Sequence, residues 1–208
     1  MIKRSAALLL FAVAATAQAD WTIRSTDSEP GPGGIAHRHI ALENVDGNGS
    51  AVVDLAIFSA KSCVVRVIDN PTGEPLSEMM SREKCVAGVN GGFFKPDFTP
   101  VGLLISEGNL IAPLQPARLI TGILSASTHE VRIQRLREFS RQEKTNDAVQ
   151  SGPFLVDHYD PVPGLEDSHV AQRTFVATGT NDRAVLGNCS EVSLAELAAI
   201  LTDRKSVV

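Results

Sequence analysis

A single α+β domain, of mixed α/β character, is the fold class that the sequence predicts, and three observations carry it. The chain has 208 residues, 43% of them hydrophobic, which is enough for one core and no more than one ordinary domain. Sixteen glycines and eleven prolines cut it into short segments, as a turn-rich, β-containing architecture needs and a helical bundle does not. Its first half reads strand, strand, helix, strand, an order that argues for a mixed domain.

The elements follow in order. Lys3 and Arg4 precede an apolar stretch from Ala6 to Ala17, and Ala17-Gln18-Ala19 is a small-x-small cleavage signal. Residues 1–19 therefore read as a secretory signal peptide removed before Asp20, which places the mature chain outside the cytoplasm, secreted or periplasmic. The apolar part is shorter than the roughly 18 residues of a spanning helix, the uncleaved anchor being the alternative. Residues 20–34, ending in Glu29-Pro-Gly-Pro-Gly-Gly34, read as an N-terminal linker, and the domain proper as 35–208.

"GIAHRHIAL" alternates as a first strand, with His37 and His39 on one face. No nearby acidic or cysteine ligand completes a metal site in the sequence, so the pair reads as a polar strand face. "AVVDLAIF" (51–58) and "CVVRVIDN" (63–70) are β-branched runs expected to be buried neighbouring strands. In "PLSEMMSREK", Leu76, Met79 and Met80 fall at helical spacing behind Pro75, and "CVAGVN" (85–90) returns to a strand pattern. "VGLLIS" and "LIAPL" flank Glu107-Gly108-Asn109 as a hairpin, and "LITGILSAS" and "HEVRIQRL" extend the strand series. Residues 137–147 are charged without alternation and read as a solvated helix or loop.

"AVQSGPFLVDH" (148–158) is a strand interrupted by Ser-Gly-Pro, which predicts an edge or a bulge. "QRTFVATG" and "RAVLGNCS" form another hairpin. In "SLAELAAILTD", Ser193 and Glu196 make a capping box ahead of an apolar stripe of Leu194, Leu197, Ala198 and Leu201, so a helix is expected. Three cysteines, Cys63, Cys85 and Cys189, contain no C-x-x-C, and Cys63 with Cys85 is the pair to try first for a disulfide.

The formal net charge of −5 offers nucleic acid and anionic membranes no electrostatic attraction, so small molecules are the expected partners. The G-x-S-x-G elbow, Walker loop, H-E-x-x-H and G-x-G-x-x-G fingerprints are absent from the sequence. What remains is polar residues beside small ones at strand ends: Asn90-Gly91-Gly92, Gln150-Ser151-Gly152-Pro153 and Arg173-Thr174. The glycines allow main-chain N–H groups to converge on an anionic or polyhydroxyl ligand. Asn90 and Gln150 each offer a donor and an acceptor, which suits sugar hydroxyls. Arg173 offers a planar fork for a phosphate or carboxylate. Phe93 and Phe94 are either an apolar platform or, as a phenylalanine pair behind a turn usually is, core. Ser151 has no histidine placed beside it to make it a nucleophile.

"AGVNGGFFKPDFTPVGLLISEG", "VQSGPFLVD", "RTFVATG" and "SLAELAAIL", in that order, resemble the phosphodiester glycosidase domain family, which includes the lysosomal uncovering enzyme, an N-acetylglucosamine-1-phosphodiester α-N-acetylglucosaminidase. The resemblance covers roughly residues 35–202. It implies a mixed α/β fold with a curved sheet and flanking helices, and hydrolysis of a sugar-1-phosphodiester to a free sugar and a phosphomonoester. It places Asn90 and Arg173 in catalytic positions, with Gly91, Gly92, Gln150, Ser151, Gly152 and Thr174 as substrate-binding residues, Arg173 taking the phosphodiester.

One departure is expected to matter. Family members continue from the E-L-A helix into a strand and an N-L-D-G-G-G-S loop whose aspartate is expected in the active site, whereas this chain reads "ILTDRKSVV". Truncation there would remove a catalytic carboxylate, and none of the remaining acids near the motifs, Asp97, Glu107 and Asp157, matches a family position. Two functions of different class follow: an exported hydrolase of a glycan or glycolipid phosphodiester, or a non-catalytic exported glycan-binding or surface-polysaccharide accessory protein, an inactive truncated product. No cofactor is expected, and no acidic spacing matches a calcium loop that would assign a divalent ion. No stable membrane insertion is expected once the signal is cleaved.

Overall fold

A computed structural model describes residues 21–140 and 145–203; the expected signal peptide and part of the charged 137–147 segment lie outside the described residues. The fold is mostly β, 43% strand against 11% helix, and its three sheets are antiparallel. This corrects the α+β expectation and, with it, the single curved mixed sheet with flanking helices.

The first sheet takes strands from both ends of the chain: β1 (Trp21–Pro30), β2 (Ala36–Asn44) and β3 (Ser50–Ser59) continue into β12 (Arg183–Val192) and β11 (Ala171–Thr178). The second has the order β5 (Asn109–Ala112), β4 (Leu104–Ser106), β8 (Asp147–Ser151), β6 (Gly122–Ser127) and β7 (Glu130–Arg135). A two-stranded hairpin, β9 (Val156–Asp157) and β10 (Asp160–Pro161), stands apart from both. The described helices are α1 (Leu76–Glu83) and α2 (Leu194–Thr202), besides a single 3-10 turn at Pro32–Gly34.

Residues 21–30, read from the sequence as linker, form an edge strand. β1 buries only Trp21 and is held by its ladder to β2, so it carries no apolar alternation to announce it. The reverse error occurs at 63–70 and 85–90, which are not strands. Cys63 and Val65 pack on the first sheet, beside Phe58 and Ala184, whereas Val67 packs on the second, beside Leu104 and Val149. The segment passes between the layers, and its β-branched residues report burial rather than pairing. Ala87 lies in the same layer, and Val131 of β7 closes that side against Ile35, Phe58 and Ala184.

The opposite face of the first sheet carries the largest core, built from Ile40, Leu42, Val53, Leu55, Phe175, Val185 and Cys189 and covered by Leu197, Ala199 and Ile200 of α2. Burying Leu197 and Ile200 contributes roughly 1.5–3 kcal/mol each. The predicted capping box of α2 is present: Ser193 Oγ accepts from Glu196 N at 3.1 Å, and Glu196 Oε2 accepts from Ser193 N at 2.8 Å. The three cysteines are free thiols, so the Cys63–Cys85 pairing is not formed.

Candidate functional site

β8 is the scaffold of the site and, contrary to expectation, an interior strand, paired with β4 on one side and β6 on the other. The Ser-Gly-Pro interruption sits at its end, where the ladder stops. Val149 and Ser151 point to one face of the sheet and Gln150 to the other, as period-two alternation demands.

Gln150 is completely buried and its amide is fully used. Oε1 accepts from Leu103 N at 2.9 Å and Gln115 N at 3.1 Å, while Nε2 donates to Gln115 O at 2.6 Å and Ile120 O at 2.9 Å. Two donors and two lone pairs exhaust a glutamine amide, so nothing remains for a sugar hydroxyl. Its role is to clasp residues 113–121 to the site rather than to bind. Gly102, at φ 95°, makes room for it: a Cβ there would meet Gln150 Oε1 at 2.7 Å.

On the Val149 face, the Asn90-Gly91-Gly92 loop lies directly on the strand. A Cβ on Gly92 would stand 2.8 Å from the carbonyl oxygen of Gln150 and 3.0 Å from Val149 Cγ2. Since the first of these atoms is backbone, only glycine lets the loop sit so low. Gly91 is less confined, with Val149 Cγ2 at 3.9 Å. The docking leaves Asn90 exposed, and its amide makes no hydrogen bond with another described residue. The Ser151 hydroxyl, next along the same face, is equally unengaged. Gly152 serves packing, because a Cβ would fall 2.7 Å from Thr121 N and 2.8 Å from Leu119 O.

Beyond Ser151, the cross-strand neighbours are Gly122 of β6 and Arg135 of β7. The Phe154 ring lies over Gly122, and the Arg135 guanidinium stacks on it 4.6 Å from its centroid. Arg135 then grips Asp157 Oδ2 from Nη2 at 2.6 Å and Nε at 3.1 Å. That bond, with smaller help from His158, holds the Asp157 carboxyl below the usual carboxylate range. Asp97, bonded by Thr99, is held low as well.

Arg173 and Thr174 lie on β11 in the other sheet and point to opposite faces. Arg173 shares the α2 side with Phe175; its Nη2 donates to His169 O at 2.6 Å and its Nε to Val192 O at 3.3 Å, leaving Nη1 uncommitted. Thr174 is exposed on the side that faces the second sheet. No hydrogen bond among the described residues joins this pair to the Asn90 loop. Phe93 and Phe94, expected in the core, are 51% and 63% exposed. Phe94 instead bridges to Pro100 and leans on Phe98, the ring centroids 5.8 Å apart.

The sequence missed Arg135, whose pairing with Asp157 spans 22 residues of chain and leaves no local spacing to read. His37 and His39 each bond a carboxylate, Glu29 and Asp54, and no group of three metal-ligating side chains gathers among the described residues. A separate cleft of about 310 Å³ opens between β7 and the β11–β12 turn, lined by Arg132, Thr178, Asp182 and Arg183. It touches the motifs only at Thr178 and Gly179, the end of RTFVATG, and none of the expected site residues lines it. No described helix is long and apolar enough to cross a membrane.

No curated protein matches the chain. A family model described as phosphodiester glycosidase matches residues 83–206, a span that runs from the end of α1 through the Asn90 loop, β8, β11 and α2. With its motifs, glycines and capping box in place over more than half its length, the chain belongs to the phosphodiester glycosidase family.

Proposed function

We propose that the chain is an exported hydrolase that cleaves a sugar-1-phosphodiester, of a glycan or glycolipid, to free sugar and phosphomonoester. The observation that carries this reading is the seating of Asn90 against β8: the loop is fixed by Gly92, yet the Asn90 amide and the Ser151 hydroxyl stay free for sugar hydroxyls. Arg173, with Nη1 uncommitted, is assigned the phosphodiester on the family resemblance, not on proximity to the Asn90 loop. Water adds across the glycosyl phosphate bond, giving the sugar its anomeric hydroxyl and leaving the phosphate as a monoester.

The leaving group lightens the demand on acid catalysis. A phosphate monoester has its second pKa near about 6, so it departs as a stabilised anion. What it needs is charge stabilisation by a donor such as arginine rather than the protonated carboxylic acid of an ordinary glycosidase. Asp97 and Asp157, both held ionised, are poor proton donors, which also favours the second reading, a glycan-binding accessory protein without turnover.

The test is incubation of the purified protein with a synthetic sugar-1-phosphodiester, following free sugar and phosphomonoester. Equimolar release is expected, with Arg173→Ala lowering kcat/KM by about a hundredfold, and phosphate-containing ligands weakened more than neutral sugars. Arg173→Lys, checked for folding by circular dichroism, separates phosphate contact from the tie to His169 and Val192. Sugar-phosphate binding without any release would leave only the accessory role.

A further inference from the structure

Strand register lines up a polar row across the first sheet, of which the motifs point only to Thr174. Thr174 of β11 is paired with Asn188 of β12, Asn188 with Asp54 of β3, and Asp54 with His39 of β2. Directly opposed residues in antiparallel strands send their side chains to the same face. That face is the one on which Ala56 and Leu186 meet Val131 of the second sheet. At about 4.8 Å per strand, the four positions span about 14 Å. Three of them, Asn188, Asp54 and His39, lie on strands flanked on both sides, where a sheet face is normally closed by apolar packing. Here the His39 and Asp54 side chains remain 45% and 40% exposed.

The row is organised for accepting hydrogen bonds. His39 Nδ1–H donates to Asp54 Oδ1 at 2.7 Å, which fixes the carboxylate and leaves Oδ2 without a described partner. Asn188 Oδ1 is buried with no hydrogen-bond partner among the described residues, an unfavourable state for a carbonyl oxygen. The terminal torsion of asparagine is soft, so a small rotation presents that oxygen to a donor, and the cost is then recovered. The exposed Thr174 hydroxyl can accept or donate.

We propose that Thr174, Asn188, Asp54 and His39 form a subsite for the hydroxyls of a neutral sugar. Two acceptors beside an oriented carboxylate call for O–H donors, and the carboxylate charge turns a phosphate away. The subsite rests on the hydrolase reading only for the expectation that its ligand is a sugar. His39 and Asp54 lie outside residues 83–206, so this subsite joins the N-terminal strands to the family-matched part of the chain.

The experiment is an NMR titration of the full chain with the methyl α-glycosides of glucose, galactose, mannose and N-acetylglucosamine, and separately with inorganic phosphate. At least one glycoside is expected to shift the Thr174, Asn188 side-chain and His39 imidazole signals together, while phosphate leaves them in place. Asp54→Asn should weaken that glycoside about tenfold, as expected for losing a charged acceptor, and Thr174→Val, at an exposed position, about threefold. Silence of the row towards all four glycosides, or unchanged affinity in Asp54→Asn, overturns the subsite. Phosphodiester turnover with a silent row removes the subsite alone, and sugar binding at the row without turnover removes the hydrolase reading alone.

Discussion

Replacing Gln150 by leucine would strip the partners from two buried backbone groups, the N–H of Leu103 and the carbonyl of Ile120. Each orphaned group costs about 1–3 kcal/mol, so Gln150→Leu should destabilise the fold by about 2–6 kcal/mol in urea unfolding. Hydrogen exchange should meanwhile rise along residues 113–121. A variant as stable as the wild type would mean that the amide is not the clasp of that loop. At this scale the sequence located the right residue and misjudged its task. A glutamine with two donors and two acceptors suits a sugar and a backbone loop equally well, and only the position of Leu103, Gln115 and Ile120, 30 to 47 residues away, decides between them. Asn90 differs in that its amide is left exposed where Gly92 seats the loop on β8.

Among elements, a charged pair, Arg135 with Asp157, ties β7 to β9. Arg135 holds the Asp157 carboxyl low, so folding favours its ionised form. The stabilising contribution is therefore fully present above the ordinary carboxylate range, near pH 4, and is lost as the pH falls through the lower folded value. Arg135→Ala should return the Asp157 titration, followed by carboxyl carbon NMR, to the ordinary range and flatten this acid-side loss of stability. An unaltered Asp157 titration would separate the two residues. Elements written in local chemistry were legible: the α2 capping box, and the β4–β5 turn, where Glu107 and Gly108 take φ 50° and 79°. Residues 63–70 were not, since a β-branched run reports that a segment is buried without saying whether a strand or two separate sheets bury it.

Over the whole molecule, Cys189 reports on the integrity of the main core. It is fully buried among residues from five strands and α2, and burial, reinforced by the Glu196 and Asp54 charges, pushes its thiol up to about 12. A maleimide at pH 8 should label the partly exposed Cys63 and Cys85 in the native protein and reach Cys189 only at the rate of global unfolding. Native-state labelling of Cys189 at a rate like that of Cys63 would show that the first sheet opens locally.

The sequence by itself determined the family, the turn chemistry, most strands of both sheets, and the glycines that bring the Asn90 loop down onto β8. These depend on neighbours in the chain, where φ/ψ preference, alternation and capping act directly. Tertiary structure alone decided that the sheets are antiparallel, that β8 is interior, that β1 exists, and that Thr174 stands in line with Asn188, Asp54 and His39. Those facts follow from which strands pair and in what register, from the neighbouring β1 and β2 to β3 and β12, more than a hundred residues apart, and such pairing is set by how the faces pack together rather than by any local pattern.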